Sequence, residues 1–382
     1  MAMQKKALVL IDKFKGSLSQ QQINQVFAKV LQEQRIDHQS FHMADGGDGS
    51  LDALFELGWQ THELRVTGPL DNEHPAKYAI NPNGKIAALE LSELCGIKYL
   101  MGKRAPFQSH TRAIGEALKS ISKDSWSELW LLLGGSASND GGLGILQGLG
   151  IEIRDSKGRL VRSGLNGLTQ SASIQSDAKA LIENLIQGRK VLLVTDVSSP
   201  LLGAKGAIAT FGRQKGLGRA GRLRGELAMR KWKRLVVENT RKDFSDNKGA
   251  GAAGGVGFLA FSFLHAHYRS GAATFLELIG ASASITEKST VFTGEGRIDE
   301  SSLSGKCVLP ILDLVKLNGA KAVLVCGSYD ERVIEQLKRE YPIAGLIALS
   351  NSGFSKSEQM ARASEILEQE LARNFSNVWF NS

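Results

Sequence analysis

The stretch Ala7-Leu8-Val9-Leu10-Ile11-Asp12-Lys13-Phe14-Lys15-Gly16-Ser17 decides the fold class. Five apolar residues in a row end in a carboxylate, and a glycine follows. So short an apolar run reads as a buried strand feeding a loop. Ser17 with Gln20 and Ser19 with Gln22 each have capping-box spacing, so a helix is expected to run to about Arg35. Leu51–Leu57 reads as another helix. Strand-like runs follow at Lys85–Leu91, Glu128–Leu133, Val191–Thr195, Val291–Thr293, Ala322–Cys326 and Gly345–Leu349. Helical patterns lie between most of them, as at Lys306–Leu317, Asp330–Arg339 and Ser357–Arg373. Strand alternating with helix predicts an α/β protein with parallel sheets. Ligands of such sheets sit beyond the carboxyl ends of the strands. The polar, glycine-rich segments Asp12–Ser17, Gly134–Gly142, Asp196–Gly206 and Gly294–Lys306 each follow a strand-like run.

A chain of 382 residues has room for two domains and a large core. With 42% hydrophobic and 23% charged residues, the composition excludes a disordered chain. Cys95, Cys307 and Cys326 are far apart, which excludes a CxxC ligand pair or a disulfide framework and fits a reducing compartment, the cytoplasm. Asp12 stops the first apolar run too early for a signal-peptide core. The longest uncharged stretch, Gly249–Tyr268, is broken by glycines and by His265 and His267, and reads as a buried helix, not a membrane span. The net charge of +8 is concentrated at 213–242, where eleven Lys/Arg face only Glu226 and Glu238. A solvated basic helix around Leu223–Val237, or a surface attracting anionic metabolites, is preferred there to a nucleic-acid patch.

Four segments carry chemistry. Asp12–Ser17 sets Asp and Lys beside a helix start, which suits phosphate; a polar loop is the plain alternative. Ala44-Asp45-Gly46-Gly47-Asp48-Gly49-Ser50 holds two carboxylates in a glycine-rich turn before a helix, as Mg²⁺ requires, or as an ordinary N-cap would. Gly134-Gly135-Ser136-Ala137-Ser138-Asn139-Asp140-Gly141-Gly142 is the sharpest: its amides and hydroxyls can cradle anionic oxygens. Thr293-Gly294-Glu295-Gly296-Arg297-Ile298-Asp299, followed by Gly305-Lys306, mixes groups suited to metal, phosphate and substrate carboxylate; a salt-bridged surface loop would look similar. The GxGxxG matches at Gly216–Gly221 and Gly249–Gly254 follow no strand-like run, which speaks against an NAD-dependent hydroxy-acid dehydrogenase. His265-Ala266-His267 has no companion ligands for zinc.

Taken in order, these segments resemble the type I glycerate kinase family, the glycerate 2-kinases. The resemblance rests on Asp12–Ser19, Ala44–Gly49, Gly134–Gly142, Asp196–Gly203, Phe211-Gly212, Gln214-Lys215-Gly216, Gly249–Gly257 and Thr293–Asp299. Lys13, Arg112, Ser199 and Ser301 depart from the family's usual residues. The resemblance implies transfer of the ATP γ-phosphate to D-glycerate with Mg²⁺, giving 2-phosphoglycerate. It also implies a flavodoxin-like domain built from both chain ends, 1–66 plus 285–382, interrupted by a second α/β domain at 67–284. On that reading Asp45 and Asp196 are metal ligands or orient the acceptor hydroxyl, with Asp299 and Glu295 next in rank. Lys15 and Lys306 neutralise the transferring phosphate. Gly46, Gly47, Gly134, Gly135, Ser136, Asp140 and Gly294 contact the nucleotide, while Asp12, Ser17, Glu295 and Arg297 contact the substrate. The rivals are a kinase of a related small hydroxy acid and a catalytically silent nucleotide- or RNA-binding regulator. The expected partners are D-glycerate and ATP, with no membrane and nucleic acid disfavoured; homo-oligomerisation is left open.

Overall fold

The computed structural model describes residues 6–14, 16–304 and 307–380. Lys15, Gly305 and Lys306 therefore lie outside the described residues. The strands in chain order are β1 (Lys6–Ile11), β2 (Asp37–Ser40), β3 (Gln60–Thr67), β4 (Glu73–Ile80), β5 (Ile86–Glu90), β6 (Glu128–Leu132), β7 (Ile153–Asp155), β8 (Ser171–Ile174), β9 (Lys190–Val194), β10 (His267–Arg269), β11 (Ser289–Ile298), β12 (Lys321–Tyr329) and β13 (Ile343–Ala348). The chain divides into two compact units, Met1–Asp45 with Gly271–Ser382, and Gly46–Ser270.

The first unit holds a five-stranded sheet in the order β13-β12-β11-β1-β2, every neighbouring pair parallel. Numbered within the unit this is 2-1-3-4-5, the flavodoxin-like winding, which reverses between β1 and β11. The apolar run at the start of the chain explains the burial on both faces. Successive side chains of a strand point to opposite faces. Ala7, Val9 and Ile11 pack with Phe27 and Leu31 of the helix Gln20–Glu33 and with Ile366 and Leu367. Leu8 and Leu10 pack instead with Ile311, Val315 and Leu337. Phe27 meets Phe292 of β11 edge-on at 5.1 Å, locking that helix to the sheet. The helix is started by the Ser19–Gln22 capping box, one of the two the sequence allowed.

The second unit holds a six-stranded sheet, β10-β9-β6-β5-β4-β3, and the small antiparallel pair β7-β8. β5, β6, β9 and β10 run parallel, while β4 and β3 add an antiparallel edge. One core fills it, with the helix Arg219–Thr240 contributing Ala228, Met229, Trp232 and Val236. The basic segment is thus mostly an amphipathic helix that packs one apolar face into the core and leaves Leu223 and Leu227 exposed. The uncharged stretch 249–268 contains the buried helix Ala252–Phe263.

The units divide at 45/46 and 270/271, ahead of the expected 66/67 and 284/285. β3 pairs with β4 along its whole length, from Gln60 opposite Ile80 to Thr67 opposite Glu73, so residues 60–67 go with the second sheet. Ala272 and Leu276 are buried in the core of the first unit.

Candidate active site

In the first unit, the carboxyl ends of β1 and β11 meet at the point where the winding reverses. Asp12 follows β1, and its N–H donates to the Gly294 carbonyl at 3.0 Å. Lys13 N–H donates to Asp12 Oδ1 at 2.8 Å. Burial above all, and then the neighbouring Asp45 carboxylate, push Asp12 up to about 7, with Glu295 adding to the effect and Lys13 opposing it. Asp12, Asp45 and Glu295 therefore share one negative environment, built from three sequence segments. Ser17 is spent locally: its hydroxyl donates to the Phe14 carbonyl at 3.2 Å.

The segment after Thr293 is not the loop expected. β11 runs on through Ile298, because Glu295 and Arg297 stay in register with Cys326 and Ser328 of β12. At Gly294 the strands approach so closely that a Cβ would lie 1.7 Å from the Val325 carbonyl oxygen. Two residues apart on a strand, Glu295 and Arg297 share a face, but they take different partners along it. Glu295 joins the Asp12 environment, whereas Arg297 pairs with Asp299 at 3.2 Å near the surface. Asp299 also accepts from the N–H and hydroxyl of Ser301. The salt-bridged alternative describes Arg297 and Asp299 well.

In the second unit, the two glycine-rich segments interlock. A Cβ on Gly134 would lie 2.3 Å from the Cα of Gly47, and one on Gly135 would overlap the Asp48 carboxylate. Gly46 likewise has no room for a side chain beside the Val194 carbonyl at the end of β9. Glycine is required here because backbone meets backbone. Ser136 Oγ lies 2.9 Å from Ser138 Oγ, and both residues are buried. Asp140 is fully buried and accepts from Thr111 N–H at 2.8 Å, Thr111 Oγ1 at 2.9 Å, and the amides of Gly142 and Gly144 at 3.2 Å. Its carboxylate shapes the loop from behind. Asp196, beyond the end of β9, accepts from Ser270 Oγ at 2.7 Å.

Glu90 and Lys215, which the sequence does not single out for the site, are buried against its glycine-rich segments. Glu90 ends β5 as Asp12 follows β1, an acid closing an apolar run, and that was the available signal. It is 2% exposed and accepts from Gly49 N–H, Leu51 N–H and the Ser92 hydroxyl. Burial raises its pKa, with Asp48 adding to the effect. A cavity of about 300 Å³ opens beside it, lined by Asp48, Asp52, Glu93, Lys77 and Lys98 among others.

Among the described residues no three His, Cys, Asp or Glu side chains form a ready-made metal cage. Mg²⁺ is commonly held by one or two carboxylates together with waters and substrate phosphates. Asp12, Asp45 and Glu295 bring carboxylate oxygens to one strand end, the donor type that suits such an ion. No described helix is long and apolar enough to cross a membrane.

Carboxylates and glycine-rich turns gathered at the strand ends of parallel sheets suit an enzyme that handles phosphorylated ligands. Residues 7–379 match the glycerate kinase family. A glycerate kinase of Neisseria meningitidis is 33% identical over 330 residues, covering 85% of this chain and 86% of that protein. The glycerate 2-kinase of Escherichia coli K12 is 30% identical, with 86% of each chain covered. A crystal structure described as glycerate kinase 2 from Salmonella typhimurium LT2 is similar at a TM-score of 0.75 and 26% identity, over 97% of both chains. The chain belongs to the glycerate kinase family, ATP-dependent kinases of an alcohol group.

Proposed function

We propose that this chain transfers the γ-phosphoryl group of ATP to D-glycerate, giving 2-phosphoglycerate, with Mg²⁺ as its metal, in the cytoplasm. The observation that carries the reading is the family match across 7–379, joined by relatives named for the same activity. The discontinuous unit and the inserted unit act as its two domains. When bound, Mg²⁺ would supply positive charge that offsets the charge of the nucleotide phosphates. Asp45 and Asp196 hold the metal or orient the acceptor hydroxyl, and Asp12 and Glu295 set the field around Asp45. The amides of the 134–140 loop, with Ser136, contact phosphate oxygens, Gly46 and Gly47 let the neighbouring backbone close in, and Asp140 holds that loop in shape. Gly294 allows close packing behind Asp12, while Arg297 meets the glycerate carboxylate. Lys15 and Lys306 supply positive charge to the transferring group. Phosphoryl transfer asks mainly for positioning and charge neutralisation, which these residue types provide.

The test is a coupled assay of ATP consumption with and without D-glycerate, in Mg²⁺ and in EDTA. Turnover that requires both D-glycerate and Mg²⁺ is expected. ATP turnover indifferent to D-glycerate and to other short hydroxy acids would overturn the reading.

A further inference from the structure

At the outer edge of the second sheet a cavity of about 530 Å³ opens beside β10. Phe244, Phe261 and Tyr268 line it, and the rings of Phe244 and Phe261 lie 6.1 Å apart between centres. Asn247, Lys242 and Lys248 form much of the remaining wall, and among the described residues no Asp or Glu lines the cavity. Asp243, next in sequence to Lys242, is held by Lys233 at 2.7 Å. Lys248 Nζ stands 4.7 Å from the centre of the Tyr268 ring. Gly249 lets the chain fold so closely onto that ring: its φ is +87°, and a Cβ there would lie 3.0 Å from the ring. The Tyr268 hydroxyl is buried and has no hydrogen-bond partner among the described residues. Burial, and after it the Asp196 carboxylate, raise its pKa, so the phenol stays a donor. A cavity of this size, mostly apolar with a few polar groups, has the make-up of a small-molecule site.

An aromatic lining with cations and no acids fits a planar ring that carries negative charge, and ATP is such a molecule. The cavity beside Glu90 suits a polyanion poorly, because Asp48, Asp52, Glu90 and Glu93 all line it. Strand order supplies a direction. β10 is next to β9, whose end leads to Asp196, and β9 is next to β6, whose end leads to the 134–142 loop. Neighbouring strands stand about 4.8 Å apart, so these three strands span about 10 Å. We infer that this cavity takes the purine ring of ATP, with Tyr268 as a stacking face and the phosphates running past Lys248 toward Asp196 and the 134–140 loop. Asn247 offers its side-chain amide to the edge of the base, a pairing that suits adenine. The inference rests on the kinase reading and adds to it the place where the base is held.

The test is photolabelling of the wild type with 8-azido-ATP and mapping of the labelled peptide, joined by steady-state kinetics of Tyr268→Leu and Lys248→Ala. The label is expected within 242–248 or 265–268, and excess ATP should suppress it. Tyr268→Leu keeps an apolar side chain and removes the stacking face. It should raise KM for ATP about 10-fold and leave KM for D-glycerate unchanged. Lys248→Ala, a change at an exposed residue, should raise KM for ATP by a smaller factor in the same selective way. Label in another segment, label here that excess ATP does not suppress, or an unchanged KM for ATP in both variants overturns the proposal. Should Tyr268→Leu fail to fold, the labelled peptide and Lys248→Ala decide. ATP turnover by the wild type that ignores D-glycerate would instead sink the kinase reading, and the labelling result would still stand or fall by itself.

Discussion

The main-chain N–H of Gly49 donates to Oε1 of Glu90 at 3.0 Å, so a buried carboxylate at the end of a strand holds the turn that carries Gly46 and Gly47. Leu51 N–H donates to its other oxygen at 2.8 Å. Glu90→Ala leaves both donors without an acceptor. A loss of about 1–3 kcal/mol for each is expected in urea unfolding. Glu90→Gln, which keeps one acceptor oxygen, should lose less. Equal stability of all three proteins would show that Glu90 does not hold the turn.

Gly134→Ala should be poorly tolerated. The added methyl meets the Gly47 backbone at 2.3 Å, and neither strand end can yield cheaply. We expect a loss of about 1–3 kcal/mol in stability together with a large fall in activity. Gly218→Ala, with open space around its Cβ, is the control and should stay within about 0.5 kcal/mol. If the two variants melt alike, the interlocking of the loops is not tight.

Asp45→Asn should lower kcat by about 10²–10³-fold, the usual loss when one preorganised electrostatic group is removed. Its melting temperature should stay near that of the wild type, because the change keeps the side chain's shape and relieves the repulsion between Asp45 and Asp12. Calorimetric titration with Mg²⁺ and a non-hydrolysable ATP analogue should show weaker binding. Near-normal kcat would move the metal-binding role to Asp196.

The buried ammonium of Lys215 has a signature in stability. Its folded pKa of about 8 lies below the ordinary 10.5, so between those values the unfolded chain binds the extra proton. Stability from this group therefore rises as pH climbs from about 8 to 10.5, and its burial penalty is full below pH 8. The penalty is of the order of 3 kcal/mol. Subtracting the urea-unfolding curve of Lys215→Met isolates it from the other lysines. A wild-type minus variant difference that does not change with pH would show that the site is wetter than its burial suggests.

Much of this protein was legible in local signals. The run at Ala7–Ile11, the capping box at Ser19 and Gln22, and the glycine-rich turns after apolar runs all depend on residues within a few positions of one another, and sequence displays such spacing directly. The rest depended on partners far along the chain. Strand order decided that residues 60–67 pair with β4, and pairing with β12 carried β11 past Gly294 through Ile298. Lys215 looked like one more cation in a basic run until its contact with Ser138 was visible. Glu90 looked like the ordinary end of a strand until the donors to its carboxylate were visible. Burial and long-range hydrogen bonds arise only when distant segments pack, and they give an unremarkable Lys or Glu its task.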